Sequence, residues 1–181
     1  MEKDLEPLWQ KAAAFHGHVC PGLAIGFKAC EAAMKVMGVT GSKDEELVCI
    51  TENDACGVDA IQAVLGCSLG KGNLLYRNTG KSAYTFIRRD TGRAVRFYMK
   101  KRNPGMEKEE YYQYLLECPV EEVFDYKETQ VQLPERARIF RNVTCEICGE
   151  DAPEHRMRLQ DGKKVCMDCF KEYTRAGKTC L

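Results

Sequence analysis

The sequence lacks three features that would indicate a membrane, a polyanion or an export route. A membrane span needs about 20 consecutive apolar residues, and no stretch approaches that length. Lys plus Arg and Asp plus Glu number 27 each, so we expect neither nucleic acid nor an anionic membrane as a partner. The N-terminal stretch MEKDLEPLWQK is charged and has no signal-peptide core, which predicts a cytoplasmic protein.

Cysteine, by contrast, is abundant, with 11 in a chain of 181 residues. In a small secreted protein this would indicate a disulfide framework. Here the count is odd, the chain is long and no export signal is present. In a reducing compartment such cysteines are more often metal ligands, catalytic thiols or small buried hydrophobic residues. The functional question is therefore which cysteine belongs to which class.

Two C-x-x-C pairs lie near the C-terminus, with residues 149–165 between them. They are Cys145 with Cys148 and Cys166 with Cys169. A C-x-x-C turn places two thiolates on one side of the chain, and two such turns complete a tetrahedron around Zn²⁺. Four sulfurs leave no open position, so we predict a structural zinc site.

The residues around these pairs predict a treble-clef zinc finger over 139–181. Asp161-Gly162 is a strong hairpin signal between two short strands. The stretch DCFKEYTRAG indicates a short helix that begins at the second pair and ends at Gly177. His155 is expected to be a surface residue, and Cys180 a free thiol near the end of the chain.

Residues 1–138 are predicted to form an α+β domain with a mixed sheet, because both helical and strand periodicities are present. We assign residues 127–140 as a linker that ends in a strand entering the finger. Cys30 and Cys49 fall on a predicted apolar helix stripe and in a predicted strand, which indicates core positions. The predicted segments are helices over 5–16, 23–37, 55–67 and 107–118, a strand over 46–54 and a hairpin over 82–100.

Two further cysteines lie where predicted helices begin. Cys20 precedes the second helix and Cys56 is in the first turn of the third, where free N–H groups favour thiolate over thiol. His16 and His18 lie four and two residues before Cys20. If these segments meet, they form a Cys₂His set with one open position, the arrangement of a catalytic metal site. The alternative is a histidine pair bonded to helix-end carbonyls, with two unconnected cysteines.

Three blocks of the sequence resemble the FmdE family of formylmethanofuran dehydrogenase proteins. They are FHGHVCPGLAIGFKACEAAM, VCITENDACGVDAIQAVLGCSLGKGNL and YTFIRRDTGRAVR, in that order. The resemblance implies a thioredoxin-like α+β core with a mixed sheet flanked by helices, a C-terminal treble-clef finger and a homodimer. By name the family belongs to a molybdenum or tungsten oxidoreductase of methanogenesis, which reduces CO₂ to a formyl group on methanofuran.

The resemblance also implies a core metal site, holding zinc or iron, that serves as a candidate active site. His18 and Cys20 match the block HGH-x-C-P-G, with His16 as a substitute ligand or supporting partner, and Cys56 matches ENDACGVDA. We predict His18, Cys20 and Cys56 as catalytic residues. The sulfurs of Cys20 and Cys56 must lie within about 5 Å of each other to share one ion.

Five neighbouring residues have more than one interpretation. Asp54 or Asp59 is expected to accept a hydrogen bond from a ligating imidazole, while Asp54 is equally suited to cap a helix. Cys67 is a fourth ligand, a resolving thiol or a buried residue at a helix end. Lys71 in the loop GKGN, together with Asn73, is predicted to bind an anionic group, with a tight turn as the alternative.

Three functions agree with these residues. The first is a component of a molybdenum or tungsten enzyme of one-carbon metabolism that uses the His/Cys metal site. The second is a stand-alone dimeric module that holds a metal or docks a partner. The third is a thiol redox protein using Cys20 and Cys56, an interpretation weakened by the absence of C-x-x-C from residues 1–138.

Overall fold

The computed structural model describes residues 3–100 and 105–175. The chain divides into two compact units, Met1–Ala137 and Arg138–Leu181. The sequence-based division, between residues 138 and 139, stays a prediction. No helix in the described ranges is both long enough and apolar enough to cross a bilayer.

The first unit contains five α-helices and five strands among the described residues. The third helix continues directly into a π-helical turn, Ile61–Leu65. In chain order the elements are α1 Glu6–His16, α2 Pro21–Met37, β1 Leu47–Thr51, α3 Gly57–Ala60, β2 Leu74–Tyr76, β3 Ala83–Arg88, β4 Ala94–Met99, α4 Lys108–Glu117, α5 Val120–Val123 and β5 Phe124–Glu128.

The five strands form one mixed sheet in the order β2-β1-β3-β4-β5. β1 and β2 are parallel, and the other neighbouring pairs are antiparallel. The mixed sheet confirms the predicted fold class. Two strands were not predicted: β2, and β5, whose last two residues overlap the segment assigned as a linker. The expected strand at the end of that linker is absent from residues 129–140, and the finger's first strand begins at Asn142.

The helices pack against one face of the sheet. α2 lies at the centre of the core, since 11 of its 17 residues are buried. A helix that is buried over most of its surface needs neighbours on several sides, and α2 contacts α1, α3, α4 and α5. Alternate strand residues join this core, among them Cys49, while those between them form a small separate cluster on the other face. Cys30 and Cys49 are fully buried, as predicted.

The segment after β5 is held by a buried ion pair. Arg89 and Glu45 are 9% and 8% exposed, with 3.1 Å between Nη2 and Oε2. The Arg89 guanidinium also donates to the carbonyls of Pro134 and Glu135, and Glu45 accepts from the N–H of Ala137. This pair therefore secures the chain directly before the second unit.

The second unit consists of two small hairpins, each joined to a C-x-x-C turn. Its strands are β6 Asn142–Thr144, β7 Asp151–Pro153, β8 Arg158–Gln160 and β9 Lys163–Val165. Asp161 and Gly162 have φ values of 52° and 77°, as expected for a tight hairpin turn. The predicted helix is not formed over residues 168–175, which are turn and coil. Gly177 and Cys180 lie outside the described residues.

Candidate metal centre

The four finger cysteines meet at one point. Their sulfurs all lie within 4.8 Å of one another, and the distance from Cys148 Sγ to Cys166 Sγ is 3.9 Å. Zn–S bonds of about 2.3 Å place the sulfurs of a tetrahedral site about 3.8 Å apart. Cys145 Sγ accepts a hydrogen bond from the N–H of Cys166 at 3.3 Å. Backbone N–H groups of residues 148 and 166 lower the pKa of Cys145 to about 6, which favours the metal-binding thiolate.

A second group of ligand atoms lies in the first unit. A nitrogen of His16 and the sulfurs of Cys20 and Cys56 are all within 4.8 Å of one another. His16 is the last residue of α1, where Gly17 ends the helix with φ 85°. Cys20 is the N-cap residue of α2, and Cys56 directly precedes α3. The site therefore joins three helix ends.

The spacing of these atoms fits one tetrahedral ion. The distance from His16 Nε2 to Cys20 Sγ is 3.8 Å, and Zn–N and Zn–S bonds of about 2.05 and 2.3 Å require about 3.6 Å. The two sulfurs satisfy the predicted limit of about 5 Å. No fourth His, Cys, Asp or Glu in the described part of the chain joins this group, so a bound ion would have one position free of protein ligands.

Glycines allow the segments that carry the two thiols to approach each other. A Cβ atom added to Gly26 of α2 would lie 2.0 Å from the carbonyl oxygen of Gly57 in α3. A Cβ atom at Gly22 would lie 3.5 Å from Cys56 Sγ and 3.7 Å from Cys20 Sγ. Any larger residue at position 26 would push the helices apart. The thiols therefore meet because these backbones are in direct contact.

The family comparison supports the architecture described above. The model of the family described as "FmdE, Molybdenum formylmethanofuran dehydrogenase operon" matches residues 15–146. The chain belongs to the FmdE family. Residues 138–175 separately match the prokaryotic dksA/traR C4-type zinc finger. The FmdE match spans all three residues of the core group, and the finger match spans the four cysteines of the two C-x-x-C pairs.

Two individual proteins resemble this FmdE chain over most of its length. A protein of Archaeoglobus fulgidus named "Probable S-adenosyl-L-methionine-binding protein" is 33% identical over 95% of this chain. The match covers 55% of that relative, so the chain spans about half its length. A solved structure of a tungsten formylmethanofuran dehydrogenase FmdE-like protein from Syntrophus aciditrophicus has a TM-score of 0.69 at 24% identity. It covers 91% of this chain and 90% of its own, which shows a shared fold.

The two histidines of the FmdE block have different positions from those we expected. His16, predicted as a substitute or supporting partner, is the one that lies with the thiols. His18 is exposed and outside that group, with its ring centroid 4.4 Å from that of His16. The exposed side chains of Phe15 and Val19 flank these histidines in the chain. The structure therefore reverses the order of preference between His16 and His18.

The two thiols of the FmdE core differ in their surroundings. Cys20 Sγ accepts a hydrogen bond from the N–H of Leu23 at 3.3 Å, as expected at a helix N-terminus. For Cys56, burial and the neighbouring Cys20 raise the pKa of the thiol. The predicted lowering of the Cys56 pKa is therefore wrong, because burial disfavours the thiolate and the Cys56 side chain makes no capping bond at the start of α3. A cation between two such sulfurs favours both thiolates.

The two aspartates near Cys56 are distinguished by their partners. Asp59 Oδ2 lies 2.7 Å from His16 Nδ1, which confirms the expected carboxylate–imidazole contact for one of the pair. Asp54 is exposed and interacts with Tyr76 instead. It does not cap the helix, since the N-cap residue of α3 is Cys56.

The remaining candidates serve the packing of the FmdE core. Cys67 is fully buried and burial raises its pKa to about 12, which agrees with the structural interpretation. Lys71 Nζ donates to the carbonyl of Ser42 at 3.0 Å. The fully buried amide of Asn73 donates to the carbonyl of Leu47 at 2.9 Å. Both polar side chains thus connect loops, and anion binding by Lys71 and Asn73 stays a prediction.

Proposed function

We propose that the core of this FmdE protein binds a zinc or iron ion through His16, Cys20 and Cys56 and leaves one coordination position for a water or substrate atom. The observation that carries this proposal is the convergence of three ligand atoms, from three helix ends, within 4.8 Å. Imidazole and thiolate ligands suit both metals. Three protein ligands with one free position are typical of catalytic metal sites.

His16, Cys20 and Cys56 would hold the ion, and the reaction would take place at its open coordination position. Such an ion, when bound, polarises an oxygen ligand and lowers the pKa of a bound water. His16 and the two thiols would fix the coordination geometry, and the partial exposure of His16 and Cys56 would let a water or a small substrate reach the ion. The four-cysteine finger has a separate role, since a closed zinc site contributes folding energy and has no position for substrate.

As part of the same proposal, we infer that this protein acts together with a molybdenum or tungsten formylmethanofuran dehydrogenase. We also propose that it is a homodimer and that it lies in the cytoplasm. The family description and the name of the Syntrophus protein both refer to that enzyme. A tagged chain purified anaerobically from its native cells is expected to retain the other chains of the enzyme. Isolation of the chain without any molybdenum- or tungsten-containing partner would favour a stand-alone module.

The metal assignment is tested by elemental analysis of the anaerobically purified chain. We expect one metal ion in the finger and a second in the core. Cys56→Ser is expected to remove the core ion alone, and Cys148→Ser the finger ion alone. A wild-type chain with metal only in the finger would contradict the proposal.

A thiol redox function is the second candidate, because the sulfurs of Cys20 and Cys56 lie within 4.8 Å of each other. A disulfide would form if both thiols gave up two electrons and two protons to a two-electron acceptor such as diamide. The S–S bond of about 2.05 Å would require the two segments to move closer. Mass spectrometry of the diamide-treated protein distinguishes the candidates. A reversible Cys20–Cys56 disulfide in a core that never retains metal would favour the redox function.

A further inference from the structure

One polar contact at the core site joins a candidate metal ligand, His16, to a residue outside the ligand set, Asp59. His16 Nδ1 lies 2.7 Å from Asp59 Oδ2, while the Nε2 atom of the same ring faces Cys20 Sγ at 3.8 Å. The His16 side chain is 11% exposed and that of Asp59 is 36% exposed. The imidazole is therefore held between a carboxylate on one side and a thiol on the other.

This contact determines which nitrogen of His16 is free to bind a metal. A carboxylate accepts hydrogen bonds, so Nδ1 must carry the proton that it donates to Asp59. In the neutral ring the lone pair then lies on Nε2, the nitrogen that faces Cys20. The hydrogen bond thus selects the tautomer that the metal site needs.

The position of Asp59 couples this contact to the second thiol. Cys56 and Asp59 are three residues apart across the start of α3, so they lie on the same side of one turn. The other carboxylate oxygen of Asp59, Oδ1, accepts a hydrogen bond from Gln62 Nε2 at 3.3 Å, which restrains the side chain. A single turn therefore carries one ligand and the group that orients another.

We propose that Asp59 is the positioning residue of the core metal site: it fixes the Nε2-binding tautomer and the ring orientation of His16. The inference rests on the proposed function, since it needs a metal at His16. A purely structural role, in which Asp59 only fastens α1 to α3, would change the stability of the core without changing the state of the His16 ring.

The first measurement is the zinc affinity of the core, determined by competition with a chromophoric chelator. Loss of an orienting carboxylate typically weakens metal binding about 10- to 100-fold, and we expect that range for Asp59→Ala. Asp59→Asn keeps an acceptor oxygen and is expected to show a smaller loss. Asp54→Asn is the matched control, because Asp54 is a nearby carboxylate that interacts with Tyr76. Finger affinity should be the same in all variants.

The second measurement reads the tautomer directly. The chain has three histidines, so long-range ¹H–¹⁵N spectra of the imidazoles are simple to assign with His16→Gln. In the zinc-loaded wild type we expect a protonated, hydrogen-bonded Nδ1 of His16 and a metal-bound Nε2. In Asp59→Ala we expect the hydrogen-bonded Nδ1 proton to exchange rapidly with water.

The possible outcomes separate the two proposals. A wild-type core that binds no zinc overturns the proposed function and, with it, this inference. A wild-type core that binds zinc while Asp59→Ala keeps the same affinity and the same His16 spectrum overturns the role of Asp59 alone. Weaker core binding together with a changed His16 signal, and an unchanged finger, supports both.

Discussion

Gly26→Ala should abolish the core metal site by changing a contact at its base. The added Cβ atom would lie 2.0 Å from the Gly57 carbonyl oxygen, whereas ordinary contacts begin at about 3.4 Å. α2 and α3 would therefore have to separate by about 1.4 Å. Since Cys20 begins α2 and Cys56 precedes α3, the two sulfurs would separate by a similar distance.

The magnitude of this effect follows from the tolerance of metal bonds. Ligand distances in metal sites vary by only about 0.2 Å, so a displacement of about 1.4 Å removes one thiolate from the coordination sphere. We expect a loss of core affinity greater than the about 10- to 100-fold that removal of an orienting hydrogen bond causes. Overpacking of this kind also costs about 1–3 kcal/mol of unfolding free energy.

The assay combines metal content, chelator competition and urea unfolding. Gly70→Ala is the control, because a Cβ atom at Gly70 meets nothing within 4 Å. Gly22→Ala, with contacts of 3.1 Å to Cys56 Cβ, provides a milder perturbation if Gly26→Ala unfolds the core. A folded Gly26→Ala protein that binds core metal with wild-type affinity would refute the reasoning.

Three further predictions concern the finger and its connection. Cys145→Ser is expected to release the finger zinc and unfold that unit alone, as seen by zinc analysis and circular dichroism; full retention of zinc would contradict it. A chain ending at Ala137 is expected to fold and keep the core metal, because all core ligands precede that residue; an insoluble or metal-free product would show that the finger is needed. Arg89→Ala is expected to lower the unfolding free energy by about 3–5 kcal/mol, since it leaves Glu45 buried without its partner, and to expose residues 129–137 to proteases.

Elements that end in a glycine or in an Asp-Gly turn could be predicted from the sequence alone. The Asp161-Gly162 turn and the end of α2 at Gly38 both follow from residues that accept positive φ. The finger ligands follow from C-x-x-C spacing. β2 and β5 were missed because one is three residues long and the other is a largely exposed edge strand, so neither has a clear alternating pattern. Residues 171–175 of the predicted finger helix are all exposed, and packing supplies most helix stability.

The arrangement of the core site could not be predicted from the spacing of residues in the sequence, because it depends on tertiary contacts. His16 and His18 both lie near Cys20 in sequence, and only the end of α1 at Gly17 determines which ring turns toward the thiols. The close approach of Gly26 to Gly57 gives no local signal, since glycine in a helix is otherwise merely unfavourable. The partnership of His16 with Asp59 spans 43 positions, and short-range patterns do not reach that far.

The most direct test of the central claim is the metal content of three single variants of the core. His16→Gln, Cys20→Ser and Cys56→Ser are each purified anaerobically and analysed for metal beside the wild type and beside His18→Gln. We predict that each of the three loses the same single ion, while the finger zinc remains and His18→Gln keeps both ions. Retention of the core ion by any of the three, or its loss from His18→Gln alone, would contradict a core site built from His16, Cys20 and Cys56.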